Sequence, residues 1–363
     1  MFKSISLNRF RGINKLKIED IKQFNLFVGQ NNCGKTTLLE ALYLLINPTN
    51  AELALKINAF RKVQLDDFFW KLFFHNLDID AKTSIEGELD NPIEKRIIEI
   101  KPNFENGSQL IISNEEKQNS FIDLKESYSE SKLIPNGLNL KCISKIGKKK
   151  IISRSKIFLK ADKINWSIPE DKEIRDLKGM FLNYGFIFTN IGVKFDKVQT
   201  GKGKKHIIDI INKIDYNIKD LVLGKYNQIM CDIGLDTYVP ISIMGDGTLR
   251  SVSIILSIMN IKDGIVLVDE IDNGLHYTTQ KIAWKAIFET AKKFNVQIFA
   301  TAHSMETVRS FYSEYQNLYS SELFEQKDDI RLFRIERHEE KTKYVSYNHT
   351  ELESSFESRW EMR

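Results

Sequence analysis

The sequence is short of the residues that mark special architectures. It has three cysteines, Cys33, Cys142 and Cys231. Odd in number and far apart, they offer no disulfide framework and no zinc-ligand spacing, and they fit a reducing compartment. Six prolines and 18 glycines in 363 residues exclude a collagen-like or low-complexity chain. A run of about 18 uncharged apolar residues, enough to span a membrane, is absent, and the longest candidate, Val252 to Ile261, is about half that length. The opening Met1-Phe2-Lys3-Ser4-Ile5 lacks an apolar stretch of signal-peptide length. These absences predict a soluble cytoplasmic protein with no membrane contact. An excess of one charge is also lacking: 53 Lys+Arg stand against 49 Asp+Glu, a net +4. Any nucleic-acid surface must therefore be a local patch.

Apolar residues are plentiful, at 42%, so a sizeable core can be buried and a largely disordered chain is excluded. At roughly 150 residues per domain, the length allows about two domains, or one with an insertion. Ile5 and Leu7 alternate with polar neighbours, as in a half-buried strand. Phe24 to Val28 is a buried-strand run stopped by Gly29, and Thr37 to Asn47 has a helical period ended by Pro48. From Ile85 to Leu159, short apolar runs such as Ile97-Ile98 and Leu110-Ile111-Ile112 predict antiparallel strands. A helix is expected near Ile207 to Leu223. The pattern then predicts a helix at Thr248–Asn260, a strand at Gly264–Val268, a helix at Thr278–Phe294 and a strand at Val296–Thr301. The fold class is α/β.

Gly29-Gln30-Asn31-Asn32-Cys33-Gly34-Lys35-Thr36 fits the phosphate-binding loop G-x-x-x-x-G-K-[ST]. Glycines let the backbone curl so that successive N–H groups face one point, and the following helix aims its positive end there. Lys35 then reaches the terminal phosphates of ATP, and the Thr36 hydroxyl ligates Mg²⁺. Ile265 to Val268 is a β-branched run ending in Asp269-Glu270, as in a parallel strand buried on both faces. Asp269 is placed to hold the magnesium and Glu270 to polarise the attacking water. A third apolar run ends in Thr301-Ala302-His303-Ser304, which puts His303 at the same sheet edge as a sensor of the γ-phosphate.

This order of motifs resembles the ABC-type ATPase heads of the SMC, RecF and OLD (overcoming lysogenisation defect) group, a P-loop NTPase fold with an antiparallel β lobe and a helical or mixed insertion. Leu7-Asn8-Arg9-Phe10-Arg11-Gly12 looks like the group's opening strand, and Asp272-Asn273-Gly274-Leu275-His276 like the OLD version of its dimer-contact loop. The resemblance implies that Arg11, Asn32 and Thr37 contact nucleotide with Gly29, Gly34 and Lys35. It also implies a signature segment, Met244 to Arg250, whose Gly245 and Gly247 close over ATP bound by a second copy. Asp246 is expected to cap the helix there. Gln64 is the candidate Q-loop residue. The implied division is an ATPase core at 1–84 and 239–310, an inserted lobe and helical region at 85–238, and a C-terminal extension of the core at 311–363.

Cys33 inside the phosphate loop reads as a tolerated small residue rather than as a redox brake. Lys148, Lys149 and Lys150 lie in a basic stretch from Lys141 to Lys163, interrupted by Asp162, which could bind phosphate backbones of DNA without sequence preference. Heptads for a long coiled coil are absent. A Toprim nuclease, as in OLD nucleases, needs far more chain than the 60 residues after His303. The expectation is a slow ATPase that forms a homodimer or higher oligomer through its heads. It would control a separate nuclease or toxin in bacterial anti-phage defence. A RecF-like DNA-binding repair ATPase is the alternative.

Overall fold

The computed structural model describes residues 1–66, 68–104, 134–160, 163–167, 169, 173–320 and 328–357. The chain opens with an antiparallel pair, β1 (Phe2–Phe10) and β2 (Ile13–Ile18). It then enters β3 (Phe24–Val28), the loop Gly29–Gly34 and helix α1 (Lys35–Ile46), followed by α2 (Glu52–Phe60). A run of strands comes next: β4 (Thr83–Leu89), β5 (Glu94–Asn103), β6 (Gly137–Ile146), β7 (Lys149–Lys160), β8 (Lys163–Ser167) and β9 (Gly179–Leu182). Two helices, α3 (Ile191–Thr200) and α4 (Lys204–Ile214), lead to the short strands β10 (Asp220–Leu223), β11 (Ile229–Asp232) and β12 (Val239–Pro240). The last part comprises α5 (Asp246–Asn260), β13 (Ile265–Val268), α6 (Tyr277–Phe294), β14 (Gln297–Thr301), α7 (Met305–Ser320), β15 (Ile330–His338), β16 (Lys341–Tyr347) and α8 (His349–Glu357).

Two large sheets result. One runs β16-β15-β3-β14-β13-β9, parallel throughout except for the antiparallel edge strand β16. The other runs β2-β1-β4-β5-β6-β7-β8 and is antiparallel. A small sheet, β10-β11-β12, accompanies the helices α3 and α4. The parallel sheet draws strands from all three sequence ranges given above, and the antiparallel sheet from two of them. β1 and β2 join the lobe, β9 joins the parallel sheet, and β15 and β16 extend that sheet from the C-terminal segment.

The period of two along the parallel strands decides where the core sits. Phe24, Leu26, Val28, Val266, Val268, Ile298 and Ala300 pack on one side with residues of α5, α6 and α7. Phe27, Leu267, Phe299 and Phe333 pack on the other, with α1 and the antiparallel sheet. Phe27 stacks between Phe299 and Phe333 at centroid distances of 6.3 and 5.2 Å. Truncating such a buried ring typically costs about 3–5 kcal/mol. The parallel sheet is thus covered on both faces, which leaves only its strand ends free to present chemistry.

The helix expected at Ile207–Leu223 stops at Ile214. Asp215 accepts a hydrogen bond from the Asn217 N–H at 3.1 Å, a turn that diverts the chain, and Asp220–Leu223 becomes strand β10. The run Leu110–Ile112 and Asp162 lie outside the described residues. Among the described residues, no helix is long and apolar enough to cross a membrane.

Candidate nucleotide site

β3 is buried at every position and ends at Gly29, which holds φ +141°. A Cβ there would stand 2.2 Å from the Ile335 carbonyl oxygen and 3.0 Å from Cys33 Sγ, so no other residue fits. Gly34 follows at φ +109°, and α1 begins at once with Lys35. The Lys35 ammonium donates to the carbonyls of Gly29 and Gln30 at 2.8 and 2.9 Å, so it lies across the mouth of the loop. Burial lowers its pKa, while Cys33 and the carboxylates of Asp269 and Glu270 oppose that shift. An anion at the loop would add counter-charge beside this buried ammonium. Burial also pushes the Cys33 thiol up, away from the reactive thiolate, which favours the reading of Cys33 as a packing residue.

The acidic strand end lies two strands away, with β14 between it and β3. Asp269 is buried, and its Oδ1 accepts from the Thr301 hydroxyl at 2.7 Å and the Thr36 hydroxyl at 3.1 Å. Burial raises its pKa, and those two hydrogen bonds pull against the rise. Glu270 turns off the strand at φ +50°, a left-handed conformation rare for a non-glycine residue. Its N–H donates to the Thr301 hydroxyl at 2.7 Å. Its carboxylate lies 3.9 Å from His303 Nε2 and accepts from Asn273 Nδ2 at 3.3 Å. Glu270 and His303 side chains are both about two-fifths exposed, at 40% and 38%. Asp272 holds the His303 segment in place by accepting the N–H groups of His303 and Ser304 at 2.9 and 2.8 Å. His303 in turn lines a cavity of about 330 Å³ shared with Gly29, Gln30 and Asn31. Phosphate loop, acidic strand end and histidine therefore meet at one sheet edge.

The Thr36 hydroxyl and the Asp269 carboxylate, 3.1–3.2 Å apart, are a hard oxygen pair suited to Mg²⁺. That ion takes one or two protein oxygens and completes its shell with phosphates and water. A buried carboxylate whose charge is disfavoured gains most from a cation beside it. Bound there, the ion would neutralise charge on the transferred phosphate.

Arg11 lines a cavity with Asn32, Gly34 and Thr37. Its guanidinium is buried, with Nε 2.8 Å from Glu40 and an Nη donating to Asn58 at 2.8 Å. Burial lowers its pKa to about 10, with Glu40 opposing. Arg61 holds the other side of Glu40 at 2.6 Å and donates to the Thr37 hydroxyl at 3.2 Å. Arg11 thus ties α1 to α2 on the wall of that cavity. Gln64 is exposed, with no side-chain hydrogen bond among the described residues. Gly245 sits before α5 at φ +93°, with open space where a side chain would be. A Cβ on Gly247 would meet the Gly274 carbonyl at 3.1 Å. Asp246 does not cap α5 as expected: it is the first helical residue, the cap position is Gly245, and no side chain caps the helix. One residue that the sequence reading passed over is Arg250. It is buried, and its Nη2 donates to the carbonyls of Asp269 and Glu270 at 3.0 and 2.6 Å. A single cation inside the apolar run Thr248–Asn260 was the available signal.

Comparison with known proteins fits this geometry. A family model described as AAA ATPase domain matches residues 1–308. The chain belongs to that family. As an AAA ATPase it is an ATP-hydrolysing enzyme. An ATP/GTP phosphatase of Helicobacter pylori is 24% identical over 325 residues, 85% of this chain and 86% of its own. A solved Smc head domain with an extended coiled coil, derived from Pyrococcus furiosus and bound to the C-terminal domain of ScpA, superposes with a TM-score of 0.50. It is 10% identical and aligns over 99% of each chain. The SMC head domain from Thermotoga maritima, at 12% identity, covers 95% of this AAA ATPase and 98% of its own chain with a TM-score of 0.45.

Proposed function

We propose that this AAA ATPase binds Mg·ATP at the Lys35 loop and works as a switch. Two heads close with ATP between them and reopen on hydrolysis, and a separate effector reads the change. In this reading Arg11, Lys35, Thr36, Thr37, Asn32, Gly29 and Gly34 hold the nucleotide, and Asp269 with Thr36 holds the metal. Glu270 is the general base and His303 the γ-phosphate contact. Gly245 and Gly247 approach from the second copy. The observation that carries the proposal is the Glu270 turn. Its left-handed backbone carries a half-exposed carboxylate beside His303, where an attacking water would stand. The exposed backbone at Gly245 supports the approach of a second copy. The OLD-like motif segment Asp269 to His276 supports the finer assignment, a stand-alone OLD-like ATPase that restrains or triggers a nuclease or toxin in anti-phage defence. The core is taken as 1–84 and 239–310, with 85–238 inserted and 311–363 extending it.

A second reading, a DNA-clamping repair ATPase, draws on one feature. Lys145 is paired in register with both Lys95 and Lys150 on the outward face of the antiparallel sheet, with Arg154 opposite Lys141 nearby. Lys95 and Lys141 are paired with Glu86 and Glu99 at 2.7 and 3.0 Å, and a polyanion would offer counter-charge to Lys145, Lys150 and Arg154. Copurification of a partner with the intact protein, followed by assay of its activity with and without ATP, separates the readings. A released nuclease or toxin supports the switch, and ATP-strengthened DNA binding by the chain alone supports the clamp.

A further inference from the structure

The hairpin of β15 and β16 lies beyond the family match of 1–308. β15 pairs in parallel with β3, and its Ile335 carbonyl occupies the space a Gly29 side chain would need. The hairpin is therefore packed directly on the phosphate loop. Arg337, near the end of β15, is exposed. Its Nη1 lies 3.3 Å from where a Cβ on Gly12 would stand. Arg337 thus reaches from the C-terminal hairpin to the β1–β2 turn. There it closes one side of a cavity of about 620 Å³ shared with Asn32, Gly34 and Thr37 and walled by Val63 and Phe74. Two other guanidinium groups, Arg11 and Arg61, line the same cavity. Both are paired with Glu40. Arg337 makes one side-chain hydrogen bond among the described residues, from Nε to the Glu339 carbonyl at 3.2 Å, which leaves the terminal nitrogens of its fork uncommitted. The neighbouring Glu336 is engaged by Arg334 at 2.5 Å.

We propose that Arg337 is a guanidinium that holds the nucleotide at its α-phosphate, in addition to the nucleotide contact that the sequence resemblance implies for Arg11. The inference rests on the reading of the Lys35 loop as the ATP site. Lys35 serves the β- and γ-phosphates, while the loop backbone cradles the α- and β-phosphates. The cavity at Gly34 and Thr37 is where the nucleotide leaves the loop. A planar fork with free donors suits a phosphate there. Val63 and Phe74 offer the base an apolar wall.

The test is calorimetric titration of the full-length chain with ATP, ADP and GTP. Arg337→Ala should weaken all three by about tenfold, the scale of one charge-assisted hydrogen bond, and Arg337→Lys should recover part of the loss. The residue is exposed, so the melting temperature should be unaltered. Lys35→Ala serves as the control. If Lys35→Ala abolishes binding while Arg337→Ala leaves all three affinities unchanged, this inference is wrong and the site assignment stands. Loss for ATP but not ADP would put Arg337 at the γ-phosphate, and loss for only one base would put it on the base; either overturns the α-phosphate role. Unchanged binding in Lys35→Ala would overturn the site assignment and this inference with it.

Discussion

Arg250 donates from one guanidinium nitrogen to the main-chain carbonyls of Asp269 and Glu270, the second at 2.6 Å. A buried charge from α5 is thereby tied to the backbone of both acidic residues. Movement of α5 must move those carbonyls or leave the guanidinium unpaired. Its Nε lacks a partner among the described residues, and the group otherwise rests over the Tyr184 ring at 5.6 Å, so these two bonds carry its hydrogen bonding. Arg250→Met keeps much of the volume and removes the donors. We expect ATP affinity to be retained and turnover to fall by at least tenfold, with a stability loss of roughly 1–3 kcal/mol. Binding and turnover measured on the same preparation check the split.

Lys35 lies across the loop it is meant to serve, bonded to two of its carbonyls. Lys35→Ala removes the only side-chain cation bonded to those carbonyls among the described residues and should abolish ATP binding. Calorimetry is the direct test, and unaltered affinity would sink the site assignment.

Asp269 carries the cost of its own burial. Its folded pKa is raised, so the folded state holds this proton more tightly than the unfolded state does. The stabilising effect is complete below the ordinary carboxylate pKa of about 3.9 and is lost as pH rises through the raised value. At neutral pH the ionised group therefore destabilises the free protein. Asp269→Asn should raise the melting temperature without ligand at pH 7, by a few degrees, and should narrow that gain as the pH is lowered. The same variant should lose the Mg²⁺-dependent part of nucleotide affinity. Thermal melts over a pH series, with and without Mg·ATP, test both halves.

The basic hairpin gives a sharper test of DNA contact than composition does. Reversing Lys148, Lys149 and Lys150 to Glu should weaken DNA binding and flatten its salt dependence, because fewer counterions are released. An unchanged salt slope returns these residues to a solvated face, which the loose 3.7 Å pair of Lys149 with Glu173 would then describe.

The parts of the site built from contiguous residues were legible in the sequence. Phe24–Val28 and its glycines, the Ile265–Glu270 run and Thr301–Ser304 each carry their own backbone logic, and the structure sets them side by side on a parallel sheet. What was not legible depends on contacts across the fold. Nothing local says that Arg11 turns inward to a glutamate on α1, or that β1 and β2 join the lobe sheet. Arg337 and Ile335 reach the loop only because β15 pairs with β3 across some 300 residues of chain. The short β10 was lost inside an apparent helix because Ile207 to Leu223 is rich in β-branched residues that suit either period.

The central claim is that ATP closes two heads of this AAA ATPase and that Glu270 reopens them through hydrolysis. Glu270→Gln keeps the side-chain shape but removes the base. Light scattering of this variant, titrated with Mg·ATP, is the most direct measurement. The account predicts an ATP-dependent doubling of mass that persists because hydrolysis is blocked, and that disappears when Lys35→Ala is added. A mass and shape that stay the same with and without ATP, in a variant that still binds the nucleotide, would contradict it.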